Sequence, residues 1–110
     1  LVIHLELPPR FSVEDPRRAQ VLLRCAQEII TNTIRHAGAR NLWLRFERSE
    51  DRRMAIHAHD DGHGAPGFRP GNGLVGMRER LAEFGGRLDV ATAGGRGFTI
   101  DASLPLENAA

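Results

Sequence analysis

Residues 41–64 read NLWLRFERSEDRRMAIHAHDDGHG, and how this stretch folds decides the architecture of the chain. From Asn41 to Arg48, Leu42, Leu44 and Phe46 alternate with Trp43 and Arg45. A period of two marks a strand with one buried face. From Arg53 to Asp60 the alternation returns, Met54, Ile56 and Ala58 opposing Ala55, His57 and His59. Ser49 to Arg52 can turn, so the spacing predicts an antiparallel hairpin. The second strand runs straight into Asp60-Asp61-Gly62-His63-Gly64. Such a cluster can merely turn the chain. It can also open a floor for a ligand, because glycine allows close backbone approach and positive φ.

Working outward, the residues before the hairpin read as a helix from Arg17 to about His36. Leu22, Cys25, Ala26, Ile29, Thr33 and His36 share a broad side. Asp15 is the expected cap, Pro16 lies in the first turn, and Gly38 is the expected stop. Ahead of it LVIHLEL, residues 1–7, alternates Leu1, Ile3, Leu5 and Leu7 with Val2, His4 and Glu6, which predicts a strand with one buried face; Pro8-Pro9 ends it. After the hairpin, a Gly/Pro-rich loop occupies residues 61–72, and a second helix is expected from Leu74 to Phe84, stopped by Gly85-Gly86. Leu88 to Thr92 and Gly97 to Leu104 complete the sheet, on either side of an Ala93 to Arg96 turn. Two helices and about five strands make an α/β domain, with helices packed on one face of a mostly antiparallel sheet. The Trp43 and Arg45 face is left partly open or meets something outside this sequence.

Composition narrows the function. The 110 residues suit one globular domain, 26% charged and 41% apolar. The net charge is +1 and the arginines are dispersed, with Arg17-Arg18 and Arg52-Arg53 the densest pairs, so no nucleic-acid footprint is expected. Cys25 is alone: it has no internal disulfide partner, no Cys/His cluster suggests zinc, and its place on the apolar helical side reads as a core thiol. No apolar run approaches the roughly 18 residues of a membrane span, and no signal peptide is visible. A strand-like run begins at once at Leu1, so the sequence is expected to be a piece of a longer chain whose cellular address is set elsewhere.

On the first helix, Glu28, Asn32 and Arg35 fall close together beside the apolar face. Asn32 can offer an oxygen to magnesium, Arg35 several donors to phosphate, and Glu28 can orient a water or accept a proton. An ordinary solvated face is the competing reading. His36, nearer the apolar side, can equally be a packed or capping residue. Further glycines cluster at Gly71-Asn72-Gly73 with Gly76, and at Gly94, Gly95 and Gly97. A helix beginning near Leu74 would aim free N–H groups at an anion. Gly76 inside that helix costs about 1 kcal/mol against Ala, a cost that close approach by a ligand or another helix would justify. Neither a dinucleotide fingerprint nor a lysine-bearing phosphate loop is present, and the chain has no lysine.

Together, QEIITNTIRHAGA (27–39), HDDGHG (59–64), GNGLVGMRERLAEFGGRL (71–88) and GGRGFTIDASLP (94–105) resemble the ATP-binding catalytic domain of sensor histidine kinases, in the superfamily shared with gyrase, Hsp90 and MutL. The resemblance covers nearly the whole chain and is closest to the nitrate-sensor and desaturase-sensor-like subfamily. It implies the two-layer α/β sandwich of the Bergerat type, a mixed and mostly antiparallel sheet covered by helices on one face. It implies ATP and Mg2+ as cofactors, with Asn32 as the magnesium ligand, Glu28 supporting it from the preceding helical turn, and Arg35 touching phosphates. Asp60 would read adenine by accepting from its exocyclic amine, and Gly62 and Gly64 would let the chain pass beside the base. Gly73, Leu74, Val75 and Gly76 would lie near the phosphates, and Gly95 and Gly97 would form the final glycine box. His36 and Thr99 complete the implied nucleotide contacts. His36 stands where many classical kinases have tyrosine, and Phe98 where many relatives have threonine. The short stretch between Gly64 and Gly71 excludes the long lid of other subfamilies.

The implied reaction is transfer of the ATP γ-phosphoryl group to a histidine on a dimerisation helix, and onward to an aspartate of a response regulator. His4, His57, His59 and His63 lie on strands or in a loop, not in a long helix with a neighbouring acid, so the acceptor is expected outside this sequence. The expected partners are therefore the phosphoacceptor helical domain of the same protein and a response regulator. No nucleic acid and no direct membrane contact are expected, and the domain is expected to be cytoplasmic. The alternatives are a serine kinase of the anti-sigma-factor type, and a degenerate nucleotide-binding regulatory module.

Overall fold

The computed structural model describes residues 1–64, 71–92 and 97–107, with the side chains of His36, Ala37 and Asn72 outside that description. In chain order the elements are β1 (Val2–Glu6), α1 (Pro16–Asn32), a π-helical turn (Thr33–Ala37), β2 (Asn41–Arg48), β3 (Arg53–Asp60), α2 (Asn72–Glu83), β4 (Arg87–Thr92) and β5 (Phe98–Pro105). The five strands form one sheet in the order β1-β2-β3-β5-β4. β1 runs parallel to β2 and every other pairing is antiparallel. With both helices on one face, this is the two-layer sandwich with a mixed sheet that the sequence predicts.

Local chemistry sets the boundaries. Asp15 caps α1 by accepting from the N–H of Arg17 at 3.0 Å, with Pro16 in the first turn. Gly38 ends the helical run at φ 61° and Gly85 follows α2 at φ 76°, both in the left-handed region where a Cβ is unfavourable. The first helix differs from expectation at its end: it is α-helical only to Asn32 and then widens into the π-turn. The N–H of Thr33 is shared between the carbonyls of Ile29 and Ile30, and its hydroxyl also donates to Ile29 O at 2.9 Å. That crowding of one carbonyl accompanies the change of pitch.

The core lies between the layers. Ile29 from α1, Leu81 from α2, and Met54, Ile56, Ile100 and Leu104 from the sheet are wholly buried, each side chain contributing about 1.5–3 kcal/mol by leaving water. Arg18 is a member that the sequence does not announce. It is buried, pairs with Asp15, donates to Pro105 O at 2.9 Å and lies 4.9 Å over the Phe84 ring, tying the start of α1 to the ends of α2 and β5.

The first strand departs from expectation. Its register sets Ile3 and Leu5 beside Leu42 and Leu44, on the helix side of the sheet. Yet all five residues are exposed, and the Leu1, Ile3, Leu5, Leu7 side is not buried. β1 is the edge strand, and two helices do not reach over it. An apolar hollow of about 360 Å³, lined by residues such as Leu5, Leu7, Leu23 and Phe46, is left between β1 and α1. The opposite face is open as expected, with Trp43 stacked between His4 and His59 across three strands.

Candidate functional site

The C-terminal end of α1 and the N-terminal end of α2 meet around a cleft of about 430 Å³ lined by Glu28, Thr31, Asn32, Arg35, Gly71, Gly73 and Leu74. Asn32 is buried, and its Nδ2 has no hydrogen-bond partner among the described residues. An unpaired buried amide nitrogen costs about 1–3 kcal/mol, and it is a donor that a bound group can satisfy. Glu28 rests against the first turn of α2: a Cβ added at Gly73 would lie 2.9 Å from Glu28 Cδ and nearer still to its carboxylate. The cap position of α2 is Gly71, which has no side chain to offer, so among the described residues no cap side chain bonds the N–H groups of that first turn, and Gly71 and Gly73 line the cleft. Helix N-termini of this kind favour negative charge. Amide, guanidinium, carboxylate and helix terminus are together a donor set suited to a metal-bound polyphosphate.

A second cluster forms where β3 ends. Asp60 is 1% exposed, and among the described residues its carboxylate receives a single hydrogen bond, from the N–H of Gly62 to Oδ1 at 2.9 Å. A buried carboxylate with so few donors is costly, and it retains acceptor capacity for a donor on a ligand. Gly97 closes over it at φ 72°, where a Cβ would lie 2.6 Å from Asp60 Oδ1 and closer to its carbonyl oxygen. Gly62 and Gly64 are buried beside it. The next residue, Asp61, accepts from the N–H groups of Arg40 and Asn41, both at 2.9 Å, and from Asn41 Nδ2 at 2.8 Å. Those bonds, the Asn41 side chain first, hold its carboxyl down at about 2. The same two segments touch again at Gly38, where an added Cβ would meet the His63 ring at 2.9 Å.

Of the residues singled out in the sequence, Glu28, Asn32, Arg35, Gly73 and Leu74 thus share the cleft, and Asp60, Gly62, Gly64 and Gly97 form the cluster at the same end of the sheet. Val75 is 39% exposed and does not line the cleft. At Gly76 an added Cβ would meet no described atom beyond its own helix and chain neighbours within 4 Å, so packing against α1 does not explain that glycine. The His36 side chain and Gly95 lie outside the described residues. Thr99 lies apart from both clusters. Alternation along β5 turns Phe98 inward, 1% exposed, and Thr99 outward, where its hydroxyl lies 3.4 Å from His59 Nδ1 on the open face of the sheet, away from both helices. Thr31 and Asp61 are additions. Asp61 was legible only as an acid beside glycine at a turn, a weak sign of a side chain that bonds backbone.

Comparisons with known proteins find relatives across most of the chain. The family model described as histidine kinase-, DNA gyrase B-, and HSP90-like ATPase matches residues 18–108. The sensor histidine kinase YvfT of Bacillus subtilis (strain 168) is 38% identical over 97 residues, covering 87% of this chain and 25% of that protein. The sensor histidine kinase LnrJ of the same organism is 36% identical over 87 residues, covering 79% of this chain and 22% of that protein. The chain therefore spans about a quarter or less of the length of these relatives. Among solved structures, the histidine kinase domain of the Erythrobacter litoralis EL346 blue-light activated histidine kinase superposes with a TM-score of 0.77 at 21% identity, covering 94% of this chain and 55% of that one, which is a likeness of fold.

Proposed function

The chain belongs to the histidine kinase-, DNA gyrase B-, and HSP90-like ATPase family, and from that premise we propose that it is the ATP-binding catalytic domain of a sensor histidine kinase. In this reading residues 1–110 are one domain of a longer cytoplasmic or membrane-anchored protein, and the domain itself works in the cytoplasm. Its acceptor is a histidine on a helical domain outside this sequence, and a response regulator receives the phosphoryl group afterwards. The observation that carries the reading is the pairing of two clusters at one end of the sheet: the cleft of Glu28, Asn32 and Arg35 at the uncapped start of α2, and the buried Asp60 carboxylate under Gly97.

Each residue then has a task. Asp60 accepts a hydrogen bond from the exocyclic amine of adenine, and so favours adenine over a base with a carbonyl at that position. Gly62, Gly64 and Gly97 keep the backbone close enough for the base to lie flat. The first-turn N–H groups of α2 and the Arg35 guanidinium hold phosphate oxygens. Asn32 would hold Mg2+ through its side-chain oxygen, and the ion, when bound, neutralises charge on the phosphates. Glu28 orients groups at the phosphate end. In the transfer an imidazole nitrogen of the acceptor forms a bond to the γ-phosphorus as the bond to the bridging oxygen breaks, and ADP leaves. Positioning and charge neutralisation do most of the work.

A calorimetric titration of the chain with ATP, with and without magnesium, tests this. Magnesium-dependent binding is expected, with Asp60→Ala abolishing adenine recognition. A well-folded chain that binds no ATP in either condition refutes the reading.

A further inference from the structure

We propose that Asp61 is a positioning residue for nucleotide recognition: its carboxylate clamps the loop bearing Asp60 to the segment leaving α1, and so sets the aim of the adenine-reading carboxylate. This deepens the nucleotide reading above and rests on it.

The clamp is reciprocal. Arg40 and Asn41 N–H donate to Asp61 Oδ1, Asn41 Nδ2 donates to Oδ2, and the N–H of Asp61 donates back to Asn41 O at 3.2 Å. Asn41 is itself held, its Oδ1 lying 2.9 Å from His4 Nε2, which fixes which end of its amide meets Asp61. The carboxylate is exposed, so core packing does not account for a group with three donors converging on it. Its place in the chain does. Asp61 lies between Asp60 and Gly62, and the Gly62 N–H is the donor that orients Asp60 Oδ1. Any rotation of the Asp61 backbone swings that N–H away, and the buried carboxylate loses its bearing. On the other side, Arg40 and Asn41 lead back through Gly38 to the π-turn and Asn32, so one surface carboxylate joins the adenine side of the site to the phosphate side.

The test compares ATP and GTP affinity, by calorimetry with magnesium, for the chain and for Asp61→Ala and Asp61→Asn, with thermal melts alongside. Asp61→Ala is expected to weaken ATP about tenfold and GTP little, so that the ATP:GTP preference falls with it. Asp61→Asn keeps a carbonyl oxygen for the two backbone N–H groups and should restore the preference to within about threefold of the parent. A merely structural role would lower the melting temperature and leave the preference intact, and that result overturns the proposal. So does a preference in Asp61→Asn as poor as in Asp61→Ala. If Asp61→Ala does not fold, Asn41→Ala removes one clamp side chain and should lower the preference about threefold; an unchanged preference there overturns the proposal equally. Failure of the unaltered chain to bind ATP refutes the nucleotide reading itself, and the clamp with it, whereas normal ATP binding with an unmoved preference refutes the clamp alone.

Discussion

Gly97→Ala tests the geometry of the site against its energetics. Two costs apply at this position. An L-residue at φ 72° pays about 1–2 kcal/mol in the left-handed region. The new methyl would also lie 2.6 Å from Asp60 Oδ1 and nearer to its carbonyl, against 3.4–4 Å for ordinary contact, so Asp60 or the start of β5 must retreat by nearly an ångström. Overpacking of that kind adds about 1–3 kcal/mol. The total, about 2–5 kcal/mol, lowers the melting temperature by roughly 9–22 °C for a domain of this size and leaves the chain folded at low temperature if its stability is ordinary. Gly85→Ala is the internal control. Its φ is 76°, but the nearest atom to the added Cβ is Pro105 Cγ at 3.6 Å, an ordinary contact. Only the backbone cost remains there, roughly 4–9 °C. Since a misplacement of about 1 Å at a reacting or binding group can cost about a hundredfold, Gly97→Ala should lose ATP affinity on that scale while Gly85→Ala binds normally. Calorimetric melts and ATP titrations of both variants decide it. If the two variants melt together, or Gly97→Ala binds ATP like the parent while folded, the steric reasoning is wrong.

Three further outcomes are expected. Asn32→Leu replaces an amide whose buried nitrogen has no partner among the described residues with a side chain of similar size, so it should raise stability by about 1 kcal/mol while removing the magnesium-dependent component of ATP binding; denaturant melts showing a marked loss would mean the amide has a partner. Cys25 is buried and its thiol is pushed up to about 12 from 9.0, by desolvation first and the Glu28 charge second. Native chain at pH 8 should therefore react with a disulfide reagent about a thousandfold more slowly than the unfolded chain, and rapid labelling in native buffer would contradict that burial. The Asp61 carboxyl is held at about 2 in the folded state against roughly 3.9 unfolded. Its contribution is thus present above about pH 4 and lost as pH falls toward 2. Denaturation across that window should show a shallower acid-side slope for Asp61→Asn than for the parent, and equal slopes would count against the clamp.

Much of the fold is legible in local pattern. The hairpin, the Asp15 cap and the Gly38 and Gly85 stops can be read because each depends on neighbouring residues: alternation, a capping oxygen, a missing Cβ. What stays hidden depends on residues far away. The alternation of β1 is as clean as that of β2, but whether a strand's apolar side is covered is decided by how far two helices reach across a sheet. Arg18 reads as a surface charge until Pro105 and Phe84 arrive from the other end of the chain. Thr99 and Phe98 show the same limit: on a strand one residue is the other face, and β5 turns Phe98 inward and Thr99 outward. The site follows the same division. The stripe Glu28, Asn32, Arg35 comes from helical spacing alone, whereas the clamp at Asp61 needs partners 20 and 21 positions away.

The π-turn at Thr33–Ala37 makes chain length itself a carrier of structural information. The turn is closed by i→i+5 bonds where α geometry closes by i→i+4, so it takes up one residue more than an α-helical ending would. Losing one residue there can be absorbed by tightening to α geometry, with Gly38 still ending the helix and Arg40 and Asn41 still reaching Asp61. The same loss between Gly38 and Asn41 has no such reserve: β2 slips by one position, which presents Trp43 and Arg45 to the helices and sends Leu42, Leu44 and Phe46 to solvent. Chain length is therefore held more tightly after Gly38 than before it, while the exposed bend at residues 49–52 remains free to lengthen.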